Sequence, residues 1–321
     1  MNLRDYWIKR SMHMKKKGRK KIVKIEMMIL VVLIAAAVVI FTQKGRSVKE
    51  TVQNKEQKDK KTEQLIKDDQ EGEIVEEEQE ESDTDSENED EAEVKNRSDF
   101  AVQPGKAVGT TEQTAEKIVY LTLDDGPSEN TQAVLDILDR YHAKATFFVT
   151  GIMPEYKDMI KVAYDKGHTI GMHTYSHDYA KVYASTDAYF QDLDQIGELV
   201  KEEIGYVPCF IRFPGGSSNT VSKKYTAGIM STLVQEVQNR GYQYYDWNGS
   251  SGDGSVRTTE ELVAQATSFE SNNIILLCHD SHGKQTTVEA LPQIIEHYQS
   301  LGYTFKALDR ESFVAHHGVN N

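Results

Sequence analysis

Cysteine is scarce in this sequence, because only Cys209 and Cys278 occur among 321 residues. Two cysteines cannot provide the disulfide framework that holds many small secreted domains together. Both lie in segments that we predict to be strands, so we expect buried thiols. A Cys209–Cys278 bridge stays open as an alternative in an oxidising environment.

Two signatures of nucleotide and nucleic-acid binding are also absent. No G-x-G-x-x-G or G-x-x-x-x-G-K-[ST] motif follows any predicted strand, so a nucleotide-binding fold lacks support. Residues 101–321 contain 17 Lys and Arg against 28 Asp and Glu, whereas phosphate binding requires clustered positive charge. We therefore expect no nucleic-acid partner.

The N-terminus has a basic segment followed by an apolar run that is short for a membrane span. Residues 1–46 contain 12 Lys and Arg against 2 Asp and Glu, and residues 27–41 are apolar throughout. A bilayer needs ~20 residues, but neighbouring apolar residues extend the run and Lys24 can snorkel to the headgroups. No convincing cleavage site follows, so an uncleaved anchor is favoured over a signal peptide. We predict a basic cytoplasmic tail (residues 1–24), a single transmembrane anchor (25–43) and an extracellular remainder.

An acidic segment without aromatic residues follows the anchor. Residues 47–100 contain 21 Asp and Glu, with no aromatic before Phe100. Such a segment cannot bury enough apolar surface to offset its ordering entropy, and its own charges extend it. We therefore predict a disordered acidic linker over residues 44–114 and a folded domain over residues 115–321.

Strand-like and helix-like segments alternate from residue 115 onwards. Short apolar runs such as residues 118–123 and 274–278 alternate with segments that have apolar residues at helical spacing, such as 131–142 and 187–204. This alternation predicts an α/β fold with a parallel sheet covered by helices. About seven units suit a barrel, closed or incomplete, and a doubly wound open sheet is the alternative.

Polar residues follow five of the predicted strands. These clusters are Asp124–Asp125, residues 173–177 (HTYSH), residues 212–216 (RFPGG), Asp246–Trp247 and His279–Asp280. The C-terminal ends of parallel barrel strands meet at one rim, where active sites form. Adjacent carboxylates after a buried strand repel each other and are costly to desolvate, and a bound cation would relieve both effects. A surface Asp-Asp-Gly turn is the alternative explanation of the first cluster.

The histidine pair His173 and His177 favours the cation. Two imidazoles four residues apart can reach one ion from a single turn. With one carboxylate they form a set that suits Zn²⁺ and leaves a position for water or substrate, and Fe²⁺ or Co²⁺ accept similar ligands. An isolated H-x-x-x-H is more often a pair of surface or core histidines, but the Asp-Asp pair at a neighbouring strand end supports a metal site.

The motifs TLDDGPS, HTYSH, RFPGG, DW and LLCHD occur in this order within residues 117–308. Together they resemble the five motifs of the polysaccharide deacetylase family (carbohydrate esterase family four). The ordered set is highly specific, although each motif alone is not. The resemblance implies a distorted parallel (β/α) barrel of seven or eight units. It also implies a hydrolase that removes acetyl groups from N-acetylglucosamine polymers or, in some members, from acetylated xylan.

The resemblance also implies the catalytic roles. Asp125, His173 and His177 would bind the divalent metal, for which Zn²⁺ is favoured. Asp124 would be the general base for the attacking water, and His279 would be the general acid that protonates the leaving amine.

Two charged residues would support this acid and this base by the same resemblance. Arg212 would pair with Asp124 and keep it ionised, and Asp246 would orient and charge His279. A simple salt bridge at the barrel rim is the alternative role for Arg212.

Three further positions would contact the substrate. The Gly215 N–H would stabilise the oxyanion, Leu277 would line a slot for the acetyl methyl, and Trp247 would form a wall against a sugar ring. Trp247 and Leu277 could instead be ordinary core residues. The family often has an aromatic residue where Gly215 stands, so one groove wall is missing here, but no presumed catalytic position is absent.

Together with the anchor and the tether, the resemblance predicts a metal-dependent deacetylase at the cell surface. Its substrate would be the N-acetylglucosamine of a cell-wall polysaccharide, with peptidoglycan favoured. The alternatives are an O-acetyl xylan or chitin-oligomer deacetylase and, from another class, an inactive carbohydrate-binding relative. We expect a monomer whose partners are the acetylated polysaccharide and the membrane.

Overall fold

The computed structural model describes residues 97–321. The predicted cytoplasmic tail (1–24), the anchor (25–43) and most of the linker lie outside the described residues. Within the described range, no helix combines the length and the apolar character needed to cross a bilayer.

Eight strands form one sheet in the described part of the chain. They are β1 (Ile118–Asp124), β2 (Ala145–Thr150), β3 (Thr169–Thr174), β4 (Phe210–Ile211), β5 (Gln243–Tyr244), β6 (Gly249–Ser250), β7 (Asn273–His279) and β8 (Thr304–Phe305). Their order is β5-β4-β3-β2-β1-β7-β6, and β8 pairs with the first residues of β1. All pairings are parallel. The predicted parallel barrel is confirmed, in a distorted form with β5 and β6 at the two ends of the strand order.

Seven α-helices in residues 97–321 connect these strands. They are α1 (Thr131–Arg140), α2 (Asp158–Asp165), α3 (Tyr179–Val182), α4 (Thr186–Ile204), α5 (Ile229–Asn239), α6 (Thr259–Ala266) and α7 (Gln285–Ser300). Ser185 caps the N-terminus of α4, because its hydroxyl accepts a hydrogen bond from the Ala188 N–H at 3.0 Å. The elements that the sequence did not reveal are β6 and α3. β6 consists of Gly249 and Ser250 and has no apolar residue, and α3 is a single turn of four residues.

Side chains on the two faces of the strands build two hydrophobic clusters. Leu123 and Leu276 belong to the cluster that packs against the helices, whereas Tyr120 and Ile275 belong to a cluster on the other face. Alternate residues of a strand point to opposite faces, so both faces of β1 and β7 are buried. This explains why these strands are continuous apolar runs in the sequence. The two cysteines are free and buried, one in each cluster, as the preferred interpretation predicted.

The folded domain begins earlier than the predicted boundary at residue 115. Phe100 packs edge-on against Phe210, with ring centroids 5.3 Å apart. The Arg310 guanidinium donates to the carbonyl oxygen of Ala101 at 2.6 Å. Residues 97–114 therefore belong to the folded domain and not to a disordered linker, because the apolar residues after the acidic run cover the core.

Candidate metal centre and catalytic site

The three predicted metal ligands converge at the C-terminal ends of β1 and β3. Asp125 directly follows β1, and His173 lies near the end of β3. The Nε2 atoms of His173 and His177 lie 3.4 Å and 3.2 Å from Asp125 Oδ1. One ligand atom from each of the three residues lies within 4.8 Å of the others, so one cation can reach all three.

The backbone around these ligands is specialised. Asp125 and His177 have positive φ angles of 66° and 48°, which non-glycine residues rarely adopt. The Thr174 hydroxyl accepts a hydrogen bond from the His177 N–H at 3.2 Å and so closes the turn between the two histidines. Left-handed residues of this kind concentrate at functional sites, where the surrounding structure holds them in place.

The protonation states around Asp125 leave a place for a cation. Burial lowers the pKa of His173, although Asp124 and Asp125 oppose this effect. The neutral ring places Nδ1 2.7 Å from the Arg212 carbonyl oxygen, so Nδ1 carries the hydrogen and Nε2 faces the site with a lone pair. Burial would raise the pKa of Asp125, but its electrostatic interactions with the facing histidines His173, His177 and His279 hold that pKa below its usual value.

The residues present therefore fit a divalent metal. Asp125 Oδ1 is buried and has no hydrogen-bond partner among the described residues, and a buried acceptor without a partner is costly. A carboxylate oxygen that faces the Nε2 lone pair of His173 is stabilised if a cation lies between them. Two imidazole nitrogens and one carboxylate are ligands that Zn²⁺, Co²⁺ and Fe²⁺ accept.

Asp124 forms the buried ion pair predicted with Arg212. Asp124 Oδ1 lies 2.8 Å from Arg212 Nη1, and the Arg212 side chain is 0% exposed. The guanidinium also donates to Thr122 Oγ1 at 2.8 Å and to the Tyr245 carbonyl at 2.8 Å. A fully buried and fully engaged guanidinium is not a salt bridge at the rim. Asp124 Oδ2 is left facing the metal site, 3.9 Å from His173 Nε2, where a general base can act.

His279 lies across from Asp124 because the two residues are register partners on β7 and β1. His279 Nε2 is 4.0 Å from Asp125 Oδ2, so the imidazole faces the metal site. Its Nδ1 lies 2.7 Å from Asp253 Oδ1. Asp253 Oδ2 accepts from the His279 N–H at 2.8 Å and from the Thr287 hydroxyl at 2.9 Å. Asp253 is therefore the residue that orients His279.

The predicted role of Asp246 as the partner of His279 is wrong. Asp246 is buried and accepts hydrogen bonds from the Ser217 N–H at 2.8 Å, from the Ser217 hydroxyl at 2.5 Å and from the His317 N–H at 2.8 Å. Both of its carboxylate oxygens anchor the loop after β4, whereas His279 Nδ1 is bonded to Asp253. Asp253 was missed because it follows β6, a strand of only two small residues that has no apolar run to mark it.

The charges of the Asp253–His279 pair support each other. Burial would lower the pKa of His279, but the hydrogen bond and charge of Asp253, with Asp124 and Asp125, raise it to about 9. Burial would likewise raise the pKa of Asp253, and its hydrogen bonds with His279 and Thr287 lower it instead. His279 is thus held as an imidazolium that can give a proton.

The three predicted substrate contacts differ in their surroundings. Gly215 is exposed at φ 76°, and within residues 97–321 its N–H donates no hydrogen bond, so this donor is free for an oxyanion. Leu277 lies two residues before His279 on β7 and is 8% exposed, so both side chains share a face. Trp247 is half-buried. It packs against the cluster that contains Tyr120 and Ile275 and edge-on against His317, with ring centroids 4.7 Å apart. Its role as a wall against a sugar ring stays a prediction.

One buried carboxylate that the sequence analysis did not single out supports the histidine turn. Asp192, on α4, accepts from the N–H groups of Tyr175 at 2.6 Å and Ser176 at 3.1 Å, and from the Ser176 hydroxyl at 2.5 Å. Its position among the buried residues Tyr189, Leu193 and Ile196 is the signal that could have found it. A lone carboxylate on the apolar face of a helix usually has a polar partner.

The comparisons with known proteins point to one family. Residues 111–234 match the family model described as polysaccharide deacetylase. A peptidoglycan-N-acetylglucosamine deacetylase of Bacillus cereus is 30% identical over 207 residues, which are 61% of this chain and 71% of the relative. A bifunctional xylanase/deacetylase of Pseudobutyrivibrio xylanivorans is 32% identical over 207 residues, which are 63% of this chain and 31% of the relative.

A solved structure is similar over the whole of its own chain. It is the catalytic domain of a peptidoglycan N-acetylglucosamine deacetylase from Eubacterium rectale, with 46% sequence identity and a TM-score of 0.64. The match covers 68% of this chain and 99% of that chain.

Proposed function

The chain belongs to the polysaccharide deacetylase family, and from that premise we propose that it hydrolyses the acetamido groups of N-acetylglucosamine residues in a cell-wall polysaccharide, with peptidoglycan as the favoured substrate. The observation that carries this proposal is the placement of Asp124 and His279 opposite each other beside the Asp125, His173 and His177 set. A base, an acid and a metal site at one rim are what amide hydrolysis requires. The relatives named as peptidoglycan deacetylases support the choice of substrate.

Asp124 starts the reaction as the general base. Its Oδ1 is engaged by Arg212, whereas Oδ2 faces the site and accepts the proton of the attacking water. The Gly215 N–H donates to the acetyl oxygen as negative charge develops on it. A divalent ion held by Asp125, His173 and His177 would polarise the acetyl carbonyl and make the water more acidic.

His279 completes the reaction as the general acid. When the C–N bond breaks, His279 Nε2 gives its proton to the departing nitrogen, and the products are acetate and a free amine. Asp253 accepts from Nδ1–H at 2.7 Å and keeps the ring in the orientation for this transfer. An amide nitrogen leaves poorly unless it is protonated, so the N-acetyl substrate requires this proton transfer.

For the metal we propose Zn²⁺, with Co²⁺ and Fe²⁺ as alternatives. Two histidines and one aspartate with an open position are typical of catalytic zinc sites. The competing metals accept the same nitrogen and oxygen ligands, so activity restored by each metal after chelation would rank them.

For the location we propose a single-pass membrane protein with the catalytic domain outside the cell. The support is in the sequence: the apolar run at residues 27–41 and the excess of Lys and Arg before it. The acidic segment after the run would act as a tether to the wall. Cleavage of the catalytic domain by protease added to intact cells would support this orientation, whereas complete protection would contradict it.

The test of the proposed function is acetate release by the purified full-length protein. We expect release from peptidoglycan or chitin oligomers, loss of release with a chelator, and recovery with Zn²⁺. Asp124→Ala should bind the same polymers without turning them over, which would exclude an inactive carbohydrate-binding relative. No acetate from any N-acetylglucosamine polymer in the presence of metal would contradict the proposal.

Acetylated xylan is the competing substrate, and the xylanase/deacetylase relative is the reason to include it. If kcat/KM on acetylated xylan is higher than on every N-acetylglucosamine polymer, the preferred substrate is an O-acetyl ester and not an N-acetyl amide.

A further inference from the structure

Tyr179 lies between the metal centre and the loop that carries Gly215. It is the first residue of α3, and its ring packs edge-on against the His177 imidazole with centroids 5.8 Å apart. A Cβ built on Gly215 would lie 2.5 Å from the Tyr179 hydroxyl oxygen, which is inside van der Waals contact. The phenol therefore occupies the volume that a side chain at position 215 would need.

The Tyr179 hydroxyl has no partner of its own. In the described part of the chain it makes no hydrogen bond, although the ring is half-buried. A tyrosine hydroxyl is both a hydrogen-bond donor and an acceptor, so this hydroxyl can donate to a ligand. A half-buried phenol with a free donor at the edge of a site suits contact with a polar ligand.

The neighbouring Tyr183, unlike Tyr179, uses its hydroxyl to hold the fold together. Its ring packs against that of Tyr179 at 5.5 Å, but its hydroxyl donates to the Pro214 carbonyl at 2.8 Å and is buried. Tyr183 therefore holds the loop of Gly215 in place, whereas the Tyr179 hydroxyl is not used by the fold.

Position 215 provides no aromatic wall, because Gly215 has no side chain. Trp247, the wall that the sequence predicts, packs edge-on against His317 and lies beside Gly216, so it is held on the other side of this loop from Tyr179. Tyr179 is the aromatic residue that contacts both the metal-ligating His177 and the position of the oxyanion donor Gly215.

We propose that Tyr179 is a substrate-contacting residue: its ring forms the wall against the sugar that carries the acetamido group, and its hydroxyl donates a hydrogen bond to that sugar. This inference rests on the proposed function, because it requires a sugar at the metal centre. It assigns to a residue of α3 the contact that a side chain at position 215 would otherwise make.

The test compares Tyr179→Phe with wild type on two substrates. One is an N-acetylglucosamine oligomer, and the other is 4-nitrophenyl acetate, which uses the reaction centre but has no sugar. Loss of one neutral hydrogen bond should lower kcat/KM on the oligomer by about 2- to 10-fold. The rate on 4-nitrophenyl acetate and the zinc dissociation constant should stay at their wild-type values. Tyr179→Ala, which also removes the wall, should lose more on the oligomer than Tyr179→Phe.

Two controls separate this contact from a structural role. Tyr141→Phe removes a hydroxyl bonded to Glu296 at the surface and should change neither rate. Tyr183→Phe frees the loop of Gly215 and should lower both rates. Equal losses on both substrates for Tyr179→Phe, a weaker affinity for zinc, or no loss on the oligomer would each overturn the inference.

A double-mutant comparison tests the proximity itself. Gly215→Ala strains the backbone in any background, but only with Tyr179 intact does the new Cβ also meet the hydroxyl. We expect Gly215→Ala to cost less activity in the Tyr179→Phe background than in wild type, and equal costs would contradict the geometry. Wild-type protein that hydrolyses 4-nitrophenyl acetate but no N-acetylglucosamine polymer would instead reject the proposed function.

Discussion

The metal half and the proton half of this site are assembled in different ways. The metal half takes two of its three ligands from one short turn, residues 173–177, and the third from the C-terminal end of β1, two strands away in the sheet. The proton half joins His279 to Asp253, which lies 26 residues earlier on another loop. Spacing inside one turn is visible in a sequence, whereas a hydrogen bond between two loops depends on how the sheet curls. The sequence therefore predicts both the residues and the arrangement of a group that lies within one turn. For a group that is spread over two loops it predicts only the residue types.

The largest expected effect is the loss of Asp253, and it shows whether Asp253 or Asp246 orients His279. Asp253→Asn should lower kcat on an N-acetylglucosamine polymer by about 10²- to 10⁴-fold, the usual contribution of a positioned general acid. The reason is that His279 loses the carboxylate that orients and charges it. Zinc affinity should change little, because Asp253 does not contact the three ligands.

Asp246→Asn is the matched control for Asp253→Asn. Its single amide oxygen can replace Oδ2, which accepts from the Ser217 hydroxyl and the His317 N–H, but its NH₂ then faces the Ser217 N–H. The loop after β4 is weakened, whereas His279 keeps its bond to Asp253. We expect a smaller loss of kcat than for Asp253→Asn. A larger loss of kcat for Asp246→Asn under the same conditions would show that Asp246 is the partner of His279, as the sequence suggested.

The fold was predictable from the sequence wherever an element has an apolar run or an apolar face. β1, β2 and β7 are largely apolar because both of their faces are buried. The helices show one apolar face. β6 has two residues, and the segment before residue 115 has a composition dominated by its acidic neighbours. Neither carries a periodic signal, so only three-dimensional packing reveals them.

The site follows the same rule. Asp124, Asp125 and His279 are residues at or just after strand ends, and strand ends in a parallel sheet share one rim. Arg212 could be paired with Asp124 by charge alone. Asp253 could not be paired with His279, because its flanking residues are Gly and Ser and the sequence offered another aspartate next to a clearer strand.

The pH dependence of stability should distinguish the two halves in chelator-treated protein. The pKa of His279 is about 9 in the folded protein and ~6.5 when unfolded. Its stabilising contribution is therefore fully present below pH ~6.5 and is lost as pH rises through about 9. The full contribution is on the order of 3 kcal/mol. The free energy of unfolding of wild type minus that of His279→Gln should fall across this range, as measured by urea denaturation.

The metal half should respond at the opposite end of the pH range. The pKa of Asp125 is held below its usual value, so its contribution is present above pH ~3.8 and is lost as pH falls through the lowered pKa. Asp253→Asn should flatten the alkaline fall in stability. On the acid side it should remove the part that comes from the lowered pKa of Asp253 itself and keep the part that comes from Asp125. If the free energy of unfolding of Asp253→Asn still falls between pH ~6.5 and about 9, a group other than the Asp253–His279 pair causes that fall.

The smallest expected effect tests whether the metal site depends on residues outside the turn of residues 173–177. Asp192 holds the turn of residues 173–177 from α4 through two backbone N–H groups and the Ser176 hydroxyl. Its carboxylate accepts all of these bonds, whereas an amide at the same place would turn its NH₂ towards one of the donors. Asp192→Asn should therefore weaken zinc binding by about 10- to 100-fold, as groups that orient metal ligands usually do.

Two variants set the scale for Asp192→Asn. Ser176→Ala removes only the hydroxyl contact and should weaken zinc binding less, and Asp194→Asn changes an exposed carboxylate on the same helix and should have no effect. Chelator competition would give each dissociation constant. Activity at saturating zinc should largely recover in Asp192→Asn, because Asp192 touches no reacting atom. If Asp192→Asn and Asp194→Asn bind zinc equally well, the spacing of His173 and His177 suffices by itself, and the metal half is as local as its sequence motif.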